Sequence, residues 1–247
     1  MRRALLLLLV GLLGYGIGIA QPYVLRPALV AGQDAVSDAP SRAAVVTVDD
    51  VGGRVLSIRP EGRDARQLLV FYPGGLVRPQ AYEWLGRALA SRGVHTVIPE
   101  FALDLAVIDT DRADGLIAHY AGGRPVVLGG HSLGGAMAAG YAAKHPDAVA
   151  GLVLLAAYPP NDVSLAEASF PAVSLLAEHD GVADPDAVRE GLDRLPRGSE
   201  LVVIPGAVHS FFGRYGPQAG DGLPTVARAA AEADIVEAVA SYLDALR

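Results

Sequence analysis

Apolar positions recur along the chain in two patterns, short continuous runs and longer stretches with helical spacing. The run Leu68-Leu69-Val70-Phe71-Tyr72 ends at a proline and two glycines, which is typical of a strand buried on both faces of a sheet. Between such runs lie stretches like 79–92, whose apolar residues fall near helical spacing before Gly93. The pattern predicts strands at 45–48, 54–58, 67–72, 94–98, 125–128, 152–155, 172–177 and 201–204, and helices at 79–92, 108–121, 133–145, 185–195 and 224–246.

The order of these elements predicts an α/β fold. The first two strands are separated only by a turn at 50–53, so we expect an antiparallel hairpin at one edge of the sheet. After the hairpin, strands alternate with helices, which predicts a mostly parallel central sheet with helices on both faces. The stretches that follow the strands are short, so we expect no large lid domain and an open site.

The first residues differ in composition from the rest of the chain. Arg2 and Arg3 precede an uncharged run at 4–20 that contains five consecutive leucines, which predicts a signal peptide or a signal anchor with a transmembrane helix. Gly18-Ile19-Ala20 has the small residues of a cleavage site, and the two alternatives stay open. The two arginines place the N-terminus inside and the domain outside the cytoplasm.

The predicted organisation is a leader at 1–20, a tether rich in Pro, Ala, Gly, Asp and Ser at 21–43, and one domain at 44–247. If the leader is retained, it anchors an extracytoplasmic protein to the membrane. If the leader is cleaved, the protein is secreted.

Charge and cysteine content narrow the function classes. The chain of 247 residues has a net charge of −7 and no long basic run, so nucleic acid is not an expected partner. It contains no cysteine, which excludes disulfides, thiolate metal sites and a cysteine nucleophile. No metal or cofactor is implied, and the sequence does not reveal the oligomeric state.

The stretch Gly130-His131-Ser132-Leu133-Gly134 fits the pattern G-x-S-x-G between a predicted strand and a predicted helix. In this context the pattern predicts a nucleophile elbow, a sharp turn that exposes the hydroxyl of Ser132 at the edge of the sheet. A phosphate-binding loop would need a Gly-Lys-Ser/Thr end, which is missing here.

A serine nucleophile needs a general base and an acid that orients it. Among the six histidines, His209 follows the last predicted strand and can reach back over the sheet edge, so we predict it as the base. The acid should follow the preceding strand. Asp180 is the first choice there, with Asp184 and Glu178 as alternatives, and Asp184 is also placed to cap the helix that begins at Pro185.

Two backbone amides should stabilise the oxyanion. The amide of Leu133, at the helix start, is one candidate. The other should come from the loop after an early strand, Tyr72-Pro73-Gly74-Gly75-Leu76, where we expect Gly75, with Leu76 as the alternative.

Three stretches together resemble the α/β-hydrolase superfamily over residues 45–247. They are Phe71-Tyr72-Pro73-Gly74-Gly75, the stretch 130–138 around Ser132, and the loop 209–222, HSFFGRYGPQAGDG. The chain is most similar to small lidless bacterial alpha/beta hydrolases near the dienelactone hydrolases, some of which share the N-terminal hydrophobic segment. The resemblance implies the α/β-hydrolase fold, with Ser132 as nucleophile, Asp180 as acid and His209 as base.

Two departures limit what the resemblance implies. Tyr72-Pro73-Gly74 replaces the usual His-Gly of the oxyanion loop, and serine replaces the cysteine of dienelactone hydrolases, so their substrate is not transferred. The predicted function is a serine hydrolase that cleaves a carboxylic ester or related acyl bond of a small molecule. The alternatives are acyl transfer, thioester or peptide cleavage, or a catalytically silent binding protein. Five residues are predicted to bind substrate: Leu76, Glu100, Asp104, Phe211 and Tyr215.

Overall fold

A computed structural model describes residues 2–24 and 42–246. Eight strands form its sheet: β1 (Ala44–Asp50), β2 (Arg54–Pro60), β3 (Gln67–Tyr72), β4 (Val94–Pro99), β5 (Val126–His131), β6 (Gly151–Leu155), β7 (Ala172–Ala177) and β8 (Glu200–Ile204). Their order across the sheet is β1-β2-β4-β3-β5-β6-β7-β8. In this order, the six neighbouring strands from β4 to β8, which include β3, run parallel, whereas β2 is antiparallel to both β1 and β4. The predicted hairpin and the mostly parallel sheet are confirmed.

The described residues form six α-helices: α1 (Arg2–Val24), α2 (Glu83–Ala90), α3 (Ala113–Tyr120), α4 (Leu133–Lys144), α5 (Pro185–Glu190) and α6 (Arg228–Ala245). Every residue of β3, β4, β5, β6 and β7 is buried, because helices cover both faces of these strands. Leucines and other apolar residues of α2 and α6 belong to one core cluster, and those of α3 and α4 belong to the other. The predicted α/β-hydrolase fold is therefore confirmed, and the described residues contain no large lid.

The leader forms the helix α1, and its leucines from Leu5 to Leu9 are exposed. In the parts of the chain that the structure describes, no helix has both the length and the apolarity needed to span a membrane, so the predicted transmembrane helix is not found. Most of the predicted tether, residues 25–41, lies outside the described residues.

Backbone strain is concentrated at one edge of the sheet. In the described residues, five non-glycine residues have a positive φ angle, and all five follow the carboxyl ends of β3, β4, β5 or β6. Such conformations cost of order 1–3 kcal/mol each and are retained mainly at functional sites. This edge of the sheet is therefore the expected location of a functional site. The five residues are Leu76, Leu103, Asp104, Ser132 and Ala156.

Candidate active site

Ser132 occupies a sharp turn between β5 and α4. Its φ of 51° and ψ of −123° are unfavourable for a residue with a side chain. Two backbone hydrogen bonds hold this conformation: the Ser132 N–H donates to the carbonyl of Leu155 (2.9 Å), and the Ser132 carbonyl accepts from the N–H of Ala136 (3.1 Å). The turn has the geometry that the sequence pattern predicts for a nucleophile elbow.

Glycines flank Ser132 because the backbone segments approach too closely for side chains. A Cβ at Gly134 would overlap the carbonyl oxygens of Tyr72 and Pro73, and a Cβ at Gly130 would lie 2.6 Å from the Gly135 nitrogen. The two glycines therefore let α4 begin directly beneath the loop that follows β3.

His209 and Asp180 form a buried pair at the same edge of the sheet. The Nδ1 atom of His209 lies 2.9 Å from Oδ2 of Asp180, and the two side chains are 1% and 0% exposed. The other carboxylate oxygen, Oδ1, accepts from the N–H groups of Val182 (2.9 Å) and Ala183 (2.8 Å). These bonds fix the carboxylate, so it can hold the imidazole with the proton on Nδ1.

The alternative acids have other partners. Asp184 caps α5 by accepting from the N–H of Asp186 (2.9 Å), as the sequence indicates. Glu178 accepts from the N–H of Gly206 (2.7 Å), which ties the ends of β7 and β8 together. Of the three candidate acids, Asp180 is the one that contacts His209.

Asp221 links the loops that carry Asp180 and His209, and the sequence did not indicate this residue. Its carboxylate accepts from the N–H groups of His209 (3.0 Å) and Ser210 (2.9 Å), at the start of a short 3₁₀ helix, and from Gly181 (3.4 Å). A Cβ at Gly222 would overlap the carbonyl of His179. We call the contact between Asp221 and the two loops the Asp221 clamp.

His131 lies between His209 and the loop that follows β3. It is fully buried, and its ring centroid is 4.5 Å from that of His209. Its Nδ1 atom is 2.9 Å from the hydroxyl of Tyr82, and this hydroxyl accepts from the N–H of Gly74 (2.9 Å). Burial, reinforced by the neighbouring His209, holds the pKa of His131 well below its usual range, so its ring is neutral.

The three amides of the loop after β3 differ in their partners. Gly74 donates to Tyr82, and Leu76 donates to the carbonyl of Asp104 (2.8 Å). In the described part of the chain, the N–H of Gly75 donates to no acceptor. A Cβ at Gly75 would be 3.2 Å from Cδ2 of Leu133. Because Leu133 is the first residue of α4, its N–H has no acceptor within the helix.

An open groove of about 390 Å³ lies beside Ser132. This volume is within the range of small-molecule sites. Its lining has no charged side chain, and four of the lining residues are alanines. The lining consists of Ser132, Leu133, Ala136, Ala156, Ala157, Tyr158, Pro160, Val182 and Ala183.

The residues predicted to bind substrate do not line this groove. The exposed carboxylate of Glu100 pairs with Arg54 (3.5 Å) beside the hairpin. Asp104 is buried, and its carbonyl accepts the hydrogen bond from Leu76, which withdraws that amide from the site.

Phe211 and Tyr215 are buried in the core beneath the site. The guanidinium of Arg228 lies 4.4 Å from the centre of the Phe211 ring, and the hydroxyl of Tyr215 donates to Oε1 of Gln218 (2.9 Å). Both aromatic residues belong to the core cluster on one face of the sheet. The groove residues Ala156, Ala157 and Tyr158 were missed, because small apolar residues after a strand carry no signal of a site in the sequence.

No three His, Asp or Glu side chains come together as a metal site within the described ranges. The carboxyl-end edge of the sheet instead carries the strained Ser132, the buried pair of His209 and Asp180, and the backbone amides of Gly75 and Leu133 on neighbouring loops.

Comparisons with known proteins agree with this architecture. The model of the Alpha/beta hydrolase family matches residues 68–233, which is more than half of the chain. No curated protein matches the chain.

Three solved structures share the fold at low sequence identity. A hydrolase from Thermoplasma acidophilum described as CIB-like has a TM-score of 0.63 and 15% identity, covering 81% of this chain and 98% of its own. A bacterial membrane phospholipase A described as a virulence factor has a TM-score of 0.63 and 16% identity, covering 100% of this chain and 99% of its own. Est1E from Butyrivibrio proteoclasticus has a TM-score of 0.60 and 14% identity, covering 83% of this chain and 98% of its own.

The family match, the sheet order and the turn at Ser132 lead to one conclusion: the chain belongs to the alpha/beta hydrolase family.

Proposed function

We propose that the protein is a serine hydrolase that cleaves a carboxylic ester through an acyl-enzyme. Ser132 is the nucleophile, His209 the general base and Asp180 the acid. The observation that carries the proposal is the buried contact of 2.9 Å between His209 and Asp180, at the strand edge where Ser132 has a strained backbone. A buried carboxylate-imidazole pair next to such a turn suits acyl transfer.

The contacts suggest a role for each group. Asp180 accepts the Nδ1 proton of His209, which leaves Nε2 free to take the proton of the Ser132 hydroxyl as its oxygen attacks the ester carbonyl. The N–H groups of Leu133 and Gly75 stabilise the resulting oxyanion. His209 then protonates the leaving alcohol. Water, deprotonated by His209, attacks the acyl-enzyme and releases the acid and free Ser132.

The groove limits the class of substrate. Because its lining is uncharged and mostly apolar, it favours an ester whose group beside the reacting carbon is neutral and apolar. A carboxylate in this groove would lose its hydration without gaining an ion pair. We therefore propose a neutral, small-molecule ester as substrate, with no cofactor.

We also propose that the domain acts outside the cytoplasm, because two arginines precede the apolar leader. Cell fractionation, combined with sequencing of the mature N-terminus, tests this location and shows whether the leader is retained. Recovery of the protein in the cytoplasm would contradict the proposal.

The function is tested by hydrolysis of p-nitrophenyl butyrate by the full-length protein. Ser132→Ala and His209→Ala should each lower kcat by about 10³-fold or more, with an unchanged circular dichroism spectrum. Ser174→Ala, in the buried strand β7, and His179→Ala, beside the acid loop, are the matched controls and should retain the rate. A folded Ser132→Ala variant with near-normal turnover would overturn the proposal.

A further inference from the structure

A buried chain of three polar groups connects the nucleophile strand to the oxyanion loop. The N–H of Gly74 donates to the hydroxyl of Tyr82 (2.9 Å), and the same hydroxyl is 2.9 Å from Nδ1 of His131. Tyr82 and His131 are both 0% exposed. Neither residue is part of the Ser132, His209 and Asp180 machinery, so the chain of bonds has no role in the mechanism above.

The direction of the hydrogen bonds follows from the chemistry of the groups. A backbone N–H can only donate, so the Tyr82 oxygen accepts from Gly74. Among the described residues, the one acceptor within reach of the phenol proton is Nδ1 of His131, so we assign the proton to that bond. His131 accepts at Nδ1, which requires a neutral ring protonated at Nε2. Burial raises the pKa of Tyr82, and the pKa of His131 is held low, so both groups stay in the required form.

The oxyanion loop needs this external support because two successive glycines give its backbone little stiffness of its own. A Cβ at Gly74 would be 2.9 Å from Nδ1 of His131 and 3.0 Å from the Tyr82 hydroxyl, so the loop lies directly against both groups. On the other side of Gly75, the Leu76 N–H is held by the Asp104 carbonyl (2.8 Å). The amide of Gly75 is therefore placed between two fixed neighbours.

We propose that the Tyr82 hydroxyl, held by His131, is a positioning group that orients the Gly74-Gly75 backbone so that the Gly75 N–H can stabilise the oxyanion. This inference rests on the proposed serine hydrolase function. It assigns His131, the neighbour of the nucleophile, to the oxyanion loop instead of the proton-transfer chain. Tyr82 acts through the N–H of Gly74, and His131, whose ring also lies 4.5 Å from that of His209, holds the Tyr82 hydroxyl.

The direct test is Tyr82→Phe in the full-length protein. This change removes the hydroxyl and keeps the ring that packs on Phe71 at a centroid distance of 5.1 Å. Because a misplaced catalytic group can cost about a hundredfold in rate, we expect kcat for p-nitrophenyl butyrate to fall by about tenfold to a hundredfold. KM should change by less than about twofold, since the apolar groove is untouched.

Tyr242→Phe is the matched control. The Tyr242 hydroxyl also accepts from a backbone N–H, that of Leu152 (3.0 Å), and donates to a backbone carbonyl, that of Pro171 (2.6 Å). These contacts are at the amino ends of β6 and β7, away from the site. We expect Tyr242→Phe to lower the melting temperature as Tyr82→Phe does and to leave kcat unchanged. Equal kcat losses in the two variants would show that only stability is involved.

Variants of His131 test the same chain of bonds from its other end. His131→Leu removes the acceptor, so kcat should fall as in Tyr82→Phe. His131→Asn places an amide oxygen near the position of Nδ1 and should recover most of that loss. The double variant Tyr82→Phe/His131→Leu should be no slower than the slower single variant, because both changes break one unit.

The outcomes separate this inference from the proposed function. If the wild-type protein hydrolyses no ester and Ser132 takes up no fluorophosphonate, the proposed function fails. If the wild-type protein is active and a folded Tyr82→Phe variant keeps its kcat, only the positioning role is overturned. If Tyr82→Phe does not fold, the His131 variants provide the test. A His131→Asn variant that is folded and as slow as His131→Leu would then overturn the positioning role.

Discussion

Each of the three carboxylates that follow β7 has its own hydrogen-bond partners. Glu178 binds the N–H of Gly206, Asp180 contacts the imidazole of His209, and Asp184 caps α5. The sequence ranked Asp180 first because it comes soon after the strand, and it identified the capping role of Asp184 from the following Pro185. It could not show that Oδ1 of Asp180 is held by two backbone amides, because this depends on how the turn closes.

A pair of substitutions follows from these contacts. Asp180→Asn should lower kcat by about 10³- to 10⁴-fold, since an amide favours the wrong imidazole tautomer. Asp184→Asn should keep full turnover, because asparagine caps a helix about as well as aspartate. Steady-state kinetics of the two variants, made side by side, test the assignment. Full activity of Asp180→Asn would transfer the role of acid to another carboxylate.

The groove gives a second prediction at the scale of single residues. Ala136, the fourth residue of α4, lines the groove next to Ser132. Ala136→Leu should therefore lower kcat/KM for p-nitrophenyl octanoate by about tenfold, which is about 1.4 kcal/mol, and change that for the acetate ester little. A similar loss for both esters would mean that the acyl group does not occupy this groove. Ala143→Leu, on the same helix and away from the groove, is the control.

The aromatic residues of the loop 209–222 show what sequence reasoning cannot determine for single side chains. Phe211 and Tyr215 were predicted to bind substrate, yet both are buried, at 7% and 1% exposure. An aromatic residue in a short loop has the same pattern in the sequence whether it points into a groove or into the core. Tyr82 was not predicted to act at the site for a related reason. Its place among the apolar positions of the predicted helix already accounts for an aromatic residue there, and its partner His131 is 49 residues away in sequence.

At the scale of elements, the site depends on how the loops after β7 and β8 pack together. The Asp221 clamp binds the first two amides of the 3₁₀ helix that carries His209 and an amide of the acid loop. Close backbone contacts at Gly181 and Gly222 leave no room for side chains between the loops. The distance between His209 and Asp180 is therefore set by loop packing as well as by their own bond.

Removing the clamp should affect both stability and rate. Asp221→Ala leaves several backbone N–H groups without an acceptor, which should destabilise this half-buried region by about 1–3 kcal/mol. We also expect kcat to fall by about tenfold to a hundredfold, because a small displacement of the base is costly. Urea unfolding and steady-state kinetics measure the two effects. Asp162→Ala, at an exposed loop position, is the control, and an unchanged kcat in Asp221→Ala would contradict the clamp's positioning role.

The type and order of the elements could be predicted, but their lengths and neighbours could not. All eight predicted strands are present, because continuous apolar runs between Gly and Pro residues are a strong signal. The predicted helix at 108–121 shortens to Ala113–Tyr120, since the preceding residues form a 3₁₀ helix at Ala106–Ile108 and a turn at 110–112. The position of β4 between β2 and β3 is set by contacts distant in sequence, which local pattern does not contain.

At the scale of the whole molecule, the fold is stabilised by two apolar layers that flank the sheet, and the described residues include one buried histidine away from the site. His95 is buried on β4, 2.9 Å from the hydroxyl of Ser57, with its ring edge-on to Tyr120. Burial, which is the largest cause, and the charges of Arg124 and Arg59 together lower the pKa of His95 to about 4, and Asp49 has the opposite effect. The folded protein therefore keeps this ring neutral.

This burial predicts a loss of stability in acid. As pH falls below about 6.5, the unfolded chain binds a proton at His95 and the folded protein does not, so the free energy of unfolding decreases until pH reaches about 4. His95→Gln should reduce this dependence, and His119→Gln, a histidine on α3 that is not buried, should not. Urea unfolding at pH 7.5, 6, 5 and 4.5 tests the prediction. Parallel curves for the wild type and His95→Gln would contradict it.

Family membership and fold follow from the whole chain, but the chemistry depends on a few residues at one edge of the sheet, since one fold hosts many functions. The most direct test of the account is labelling of the full-length protein with a fluorophosphonate, followed by mass spectrometry to locate the adduct. We expect one adduct on Ser132, lost in His209→Ala and retained in His179→Ala. A folded protein that takes up no label, or takes it up at another serine, would contradict the claim that Ser132 is an activated nucleophile.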